Sequence, residues 1–102
     1  MGKTIKFTDL AYEDIERLRE FLFKQTKSTT VINRFDKEID KAIEFIEEFP
    51  EASGYVEDFE PLRKKIQWNY LVLYVEFSTR ISIQRVFHQS EDWLEEIERE
   101  FI

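Results

Sequence analysis

Apolar residues recur at intervals of 4, 3 and 4 from Ala11 through Ile15 and Leu18 to Leu22, the repeat of one face of an α-helix. Thr8 and Asp9 stand just ahead, and their short side chains can accept from an orphan N–H of the first turn. Glu13, Asp14, Glu16, Arg17 and Arg19 fall on the wet side of this predicted helix. Thr26-Lys-Ser-Thr-Thr30 breaks the pattern and offers new caps. Ile32, Phe35, Ile39, Ala42, Ile46 and Phe49 then recur at 3, 4, 3, 4 and 3, the clearest period in the chain. Asp36, Asp40, Glu44, Glu47 and Glu48 read as the solvated side of this second helix. Pro50 ends it, because proline lacks an N–H and its ring clashes with the preceding turn. Two amphipathic helices joined by a few residues predict an antiparallel hairpin. Neither apolar stripe can stay wet, so the hairpin needs a second layer.

That layer is predicted from a change of period. Ile66 to Phe77 is rich in β-branched and aromatic residues, with Leu71, Leu73, Val75 and Phe77 alternating against Tyr70, Val72, Tyr74 and Glu76. Trp68-Asn69-Tyr70 marks a bend or bulge, and Ser78-Thr79-Arg80 a short turn. Arg80 to Phe87 is the next strand. Strict alternation puts Ile81, Ile83, Arg85 and Phe87 on one face, and Ser82, Gln84, Val86 and His88 on the other. Ile5 to Phe7 is a short opening strand, and residues 51–61, with Gly54, Pro61 and several acids, read as the main connection. Ser90 is placed as the cap of a last helix edged by Leu94, Ile97 and Phe101. The predicted order is βααβββα. The fold class is α+β: a two-helix antiparallel hairpin packed on a small antiparallel β-sheet, with a short C-terminal helix. Residues 1–102 are expected to form one domain.

Composition narrows the function classes. The chain holds no Cys, which removes disulfides and Cys-based zinc sites and is compatible with a reducing compartment. No apolar run approaches the roughly 20 residues of a membrane span, and the opening residues lack the apolar segment of a signal peptide. The expectation is a cytoplasmic protein without membrane contact. Net charge is −7, which opposes non-specific nucleic-acid binding by the whole surface. The distribution is uneven. Residues 61–90 carry Arg63, Lys64, Lys65, Arg80 and Arg85 against Glu76 alone, whereas residues 91–102 carry six acids against Arg99.

His88 is the only histidine and the natural candidate for a general acid or base. Arg85 precedes it by three residues, and Arg63, Lys64 and Lys65 open a neighbouring strand. Antiparallel pairing is expected to gather these cations into a cluster that can hold a phosphate. The competing reading pairs them with Glu57, Asp58, Glu60 and the last helix. Trp68, Tyr70 and Tyr74 offer rings for stacking nucleobases, although aromatics at strand spacing are more often core. One His and no Cys give no expected metal site. With only Gly2 and Gly54, no phosphate-cradling glycine loop can form, and no cofactor is expected.

The motifs taken together resemble the RelE/ParE superfamily of bacterial type II toxin–antitoxin modules. The resemblance rests on Phe7-Thr8 before the first helix and on Phe49-Pro50 followed by Gly54. It continues through Leu62-Arg63, Tyr70-Leu-Val-Leu-Tyr74, Arg85-Val-Phe-His88 and Asp92-Trp93. It covers nearly the whole chain and implies a cytoplasmic toxin held inactive by a cognate antitoxin encoded beside it. RelE-like members cut messenger RNA on the ribosome without a metal. In that reading Arg63, Lys65 and Arg85 stabilise the phosphate and His88 is the acid or base. ParE-like members inhibit DNA gyrase and need no such set. The spellings around Leu62-Arg63 and Arg85 to Trp93 stand closer to the ParE branch, and the acidic balance departs from the basic RelE pattern. The resemblance leaves three activities open: gyrase inhibition, messenger cleavage, and a degenerate non-toxic partner-binding domain. Arg63, Lys64, Trp68, Tyr70, Arg85 and Trp93 are the expected partner-binding residues, and an exposed apolar stripe on the hairpin is a candidate homodimer face.

Overall fold

The computed structural model describes residues 3–100. Its elements run β1 (Thr4–Phe7), α1 (Asp9–Thr26), α2 (Thr29–Glu48), β2 (Arg63–Gln67), β3 (Tyr70–Glu76), β4 (Arg80–His88) and α3 (Trp93–Glu100). The expected βααβββα order is present. Thr8 caps α1 by accepting from the Ala11 N–H at 3.1 Å, and Lys27 closes it in the left-handed region, its N–H donating to the Phe23 carbonyl. Ser28 then caps α2 through the Val31 N–H. The helix stops before Pro50, with the Phe49 N–H donating to the Phe45 carbonyl. Arg19 of α1 and Asp36 of α2 pair across the hairpin.

The four strands lie in the order β1-β4-β3-β2. β2, β3 and β4 are antiparallel as predicted, but β1 joins β4 in parallel, so the sheet is mixed. The two helices between β1 and the later strands supply the long crossover that parallel pairing requires. Ala11, Leu18, Phe35, Ile39, Ala42 and Ile46 from the hairpin pack on Tyr70, Val72, Tyr74, Ile81, Ile83 and Val86. The Tyr74 hydroxyl donates to the Pro50 carbonyl at 2.6 Å, which ties the end of α2 to the sheet.

The opposite face of the sheet is also buried. Leu73 and Phe87 meet Val56 of the 51–61 connection, Leu62 just after it, and Ile97 of α3. The connection is therefore part of a second core and not only a linker. α3 starts at Trp93, later than a Ser90 cap would give, because the Ser90 side chain lies 2.7 Å from the His88 ring. Ile97 faces inward as expected, Leu94 is 42% exposed, and Phe101 lies outside the described residues.

β4 does not alternate strictly. Its register with β3 slips between Leu73 and Tyr74: Leu73 opposes Arg85 while Tyr74 opposes Ile83. Gln84 is thus an extra residue, a β-bulge. Beyond it the faces exchange, because the side-chain period of a strand is two. Ile81, Ile83, Val86 and His88 face the helices, and Arg85 and Phe87 turn to the α3 side. Strict alternation had grouped these residues differently.

Candidate functional site

β1 pairs with β4 only as far as Ile83. From there the outer edge of β4 is closed by side chains. The Thr8 hydroxyl donates to the Gln84 carbonyl at 2.8 Å. The Val86 N–H donates to Asp14 Oδ2 at 2.9 Å, and the His88 N–H donates to Glu91 Oε1 at 2.7 Å. Two carboxylates therefore stand where a neighbouring strand would present carbonyls, which blunts the edge against further pairing.

Asp14 is the centre of this arrangement. It is 3% exposed, and besides Val86 it accepts from Arg85 Nε at 2.7 Å and Arg85 Nη2 at 2.9 Å. The bidentate fork is the strong geometry for an arginine and a carboxylate. Arg85 also pairs with Glu100 of α3. The hydrogen bonds that Arg85 donates to Asp14 are the main cause that holds its guanidinium above its ordinary pKa. The sequence pattern puts Asp14 on the wet face of α1; it is instead a buried anchor. Its spacing from Ala11 and Leu18, three before and four after, does match the buried stripe.

The cations predicted to cluster are not brought together. Arg63 and Lys65 oppose Tyr74 and Val72, whose side chains belong to the helix-side core. Arg63 donates to the Ser53 carbonyl at 2.6 Å, and its guanidinium lies 4.1 Å from the Tyr55 ring centre. Lys65 lies 4.1 Å from the Phe45 ring centre. Arg85 is on the other face, buried and paired with acids. Lys64 shares that face and stands 4.9 Å from the Trp93 ring centre. The paired acids are Asp14 and Glu100, not the Glu57, Asp58 and Glu60 of the connection.

His88 opposes Tyr70, with ring centroids 5.4 Å apart in an edge-on arrangement. The Ser90 N–H donates to His88 Nδ1 at 3.0 Å, so this nitrogen is the acceptor and the neutral ring carries its proton on Nε2. The ring lines a groove of about 360 Å³ with Leu18, Phe21, Leu22, Tyr70 and Glu91. Tyr70 itself is 6% exposed and rests edge-on against Phe35, so it is core. Of the six expected partner-binding residues, Tyr70 and Arg85 are buried by the chain itself. Trp68 is exposed, and Arg63, Lys64 and Trp93 are half-buried.

A family model of the ParE toxin of type II toxin–antitoxin systems, parDE, matches residues 5–93. The chain belongs to this family. No curated protein sequence matches it. Two solved structures show the same fold at low identity. A chain of the chromosomal ParDE system of P. aeruginosa is 12% identical with a TM-score of 0.71, over 85% of this chain and 96% of that one. A chain of the RelBE2 toxin–antitoxin complex of Mycobacterium tuberculosis is 20% identical with a TM-score of 0.61, over 86% and 99%. By family this chain is a RelE/ParE superfamily toxin, and it shares its fold with these two structures. Among its described residues no helix is long and apolar enough to cross a membrane, and no cluster of His, Asp or Glu side chains is grouped as a metal site.

One acid on the hairpin titrates abnormally. Glu38 accepts from Gln67 Nε2 at 2.9 Å, and this bond, ahead of the contributions of Lys41 and Arg34, holds its carboxyl below the ordinary carboxylate pKa. A carboxyl whose pKa is lower when folded adds stability above its unfolded pKa, and loses it as pH falls through the folded value. Gln67→Leu is therefore expected to weaken the α2–β2 contact at neutral pH and to flatten the stability change between neutral and acid pH. Thermal melts across the acid limb check this; an unchanged pH profile would mean the Gln67 bond does not set the Glu38 titration.

Proposed function

We propose that this ParE family member arrests bacterial growth by binding and inhibiting DNA gyrase, and that a cognate antitoxin neutralises it. The observation that carries a binding mode over cleavage is the disposition of Arg85. A phosphate-stabilising arginine must be free to meet the substrate. Here both edges of the guanidinium are occupied by Asp14 and Glu100, on the face of the sheet opposite Arg63, Lys65 and His88. The chain's net charge of −7 also works against a ribosome-bound ribonuclease.

The antitoxin partner is supported by the family and by the similar folds, which come from a ParDE system and a RelBE2 toxin–antitoxin complex. Lys64, Trp68 and Trp93, which reach the surface, are its proposed contacts, and a homodimer within the complex belongs to the same reading. The proposed site of action is the cytoplasm, where gyrase works. The RelE-like reading keeps one specific support: the His88 ring lines a groove.

Expression of the chain alone, with labelled methionine incorporation followed over the first minutes, separates the two. Sustained incorporation with later failure of growth is expected, and His88→Ala is expected to remain as toxic. A prompt collapse of incorporation that His88→Ala abolishes would establish messenger cleavage instead. Harmless expression would mark a degenerate domain.

A further inference from the structure

Cations and carboxylates are unevenly matched over the surface. Among the described residues, Arg17, Arg19, Arg85 and Arg99 each pair with an acid. Arg34, Lys37 and Lys65 pair with none. Arg34, Lys37 and Lys41 recur at intervals of three and four along α2, which puts them on one face of the helix, and all three are exposed. Glu38 lies among them, but its carboxylate is turned onto Gln67 and Lys41. The wet side of α2 is therefore divided. Asp36, Asp40, Glu44 and Glu47 form an acidic flank, and the basic stripe lines a concavity of about 380 Å³ with Asn33 and Glu38.

The β2–β3 hairpin adds an aromatic end to this stripe. Gln67 pairs with Tyr70, so Trp68 and Asn69 form a two-residue turn. Trp68 holds φ at 60°, a region bulky side chains rarely adopt. Glycine suits such a first turn position best. The ring is 51% exposed, and the Arg34 guanidinium lies 4.2 Å from its centre. A large side chain thus occupies a strained position without serving the core. Strain of this kind is characteristic of ligand-contacting positions.

We propose that this face, formed by Arg34, Lys37, Lys41, Lys65 and Trp68, docks a short acidic protein segment that also presents an apolar side chain to Trp68. From Arg34 to Lys41 the stripe is about 10 Å long at the helical rise. That length spans about three residues of an extended segment. A nucleic-acid strand, charged at every nucleotide, would continue past the stripe onto the acidic flank of α2 in a chain of net charge −7. A segment with a few carboxylates ends where the cations end. The proposal does not depend on which cellular target the toxin has.

The test uses the full chain, a fluorescein-labelled peptide rich in Glu with interspersed Leu, its Gln-for-Glu counterpart, and a single-stranded oligothymidine. Fluorescence anisotropy is expected to show salt-sensitive binding of the acidic peptide and little binding of the Gln peptide. Arg34→Glu with Lys37→Glu is expected to weaken binding by about tenfold, as loss of a few exposed charge contacts should. The same charge change at Lys24 and Lys27, at the α1–α2 turn and outside the stripe, is expected to have a smaller effect. In a Trp93→Phe chain, the peptide is expected to shift the emission of Trp68. Melting curves establish that each variant is folded. Absence of peptide binding, equal losses from the two double variants, or an unmoved Trp68 emission would overturn the proposal. Tighter binding of oligothymidine that displaces the peptide would also overturn it, and would assign the face to nucleic acid.

Discussion

Asp14→Ala is expected to destabilise the protein by about 3–5 kcal/mol, the usual cost of breaking a buried ion pair from one side. Three losses coincide in this variant. The Arg85 guanidinium, on a residue 8% exposed, loses its bidentate partner. The Val86 N–H, which has no strand beside it, loses its acceptor. Arg17 loses one of its two acids but keeps Glu91. Only the last is exposed enough to be minor. Asp14→Asn keeps the shape and one acceptor oxygen but leaves Arg85 with Glu100 as its acid partner, so it should fall between the wild type and Asp14→Ala. Replacing both partners with apolar residues, Asp14→Leu with Arg85→Met, should recover part of the loss, because it removes the buried cation but still leaves the Val86 N–H without its acceptor. Urea denaturation of the single and double variants provides the check. A loss under about 1 kcal/mol for Asp14→Ala would mean that water reaches Arg85 and that the edge of β4 does not need its anchor.

Ile97→Ala is the second large effect, with an expected cost of about 2–5 kcal/mol, typical for truncating a fully buried isoleucine to alanine. α3 has eight described residues, well under the length at which a helix persists alone in water. Its place depends on packing, and Ile97 is its one fully buried side chain. Around it lie Leu73, Phe87, Val56 and Leu62, so truncation weakens the helix and the 51–61 connection together. The helix-side core does not include Ile97. Amide exchange should therefore accelerate in α3 and in the connection before it does in α1 and α2. Uniform acceleration over the whole chain would show that the two cores unfold as one unit, and unchanged exchange would show that Arg85 and Glu100 hold the helix without Ile97.

Local pattern determines which parts of this molecule are readable from sequence. The stripe of α2 was legible because six apolar residues keep one helical period and Pro50 ends it. β3 was legible by composition, since residues from Tyr70 to Leu73 and beyond are buried on both faces. β4 was misread beyond Gln84 because alternation assumes that no residue is inserted, and the bulge is set by pairing with β3. That one residue moved Arg85 to the far face and separated it from Arg63, Lys65 and His88. Asp14 was misread for a related reason. A charged residue among Glu13, Glu16 and Arg17 looks solvated until the short β1 leaves an N–H of β4 without an acceptor. The basic stripe on α2 had the signal of its spacing, but it was masked by the larger number of acids on the same helix.

Inhibition of gyrase by binding is tested with purified gyrase, ATP and plasmid, incubated with the chain and then denatured and digested with protease. The account predicts linear plasmid that rises with the amount of chain, requires gyrase, and is equal for His88→Ala. A chain that arrests growth yet yields no linear plasmid and does not slow the supercoiling of relaxed plasmid by gyrase would contradict it.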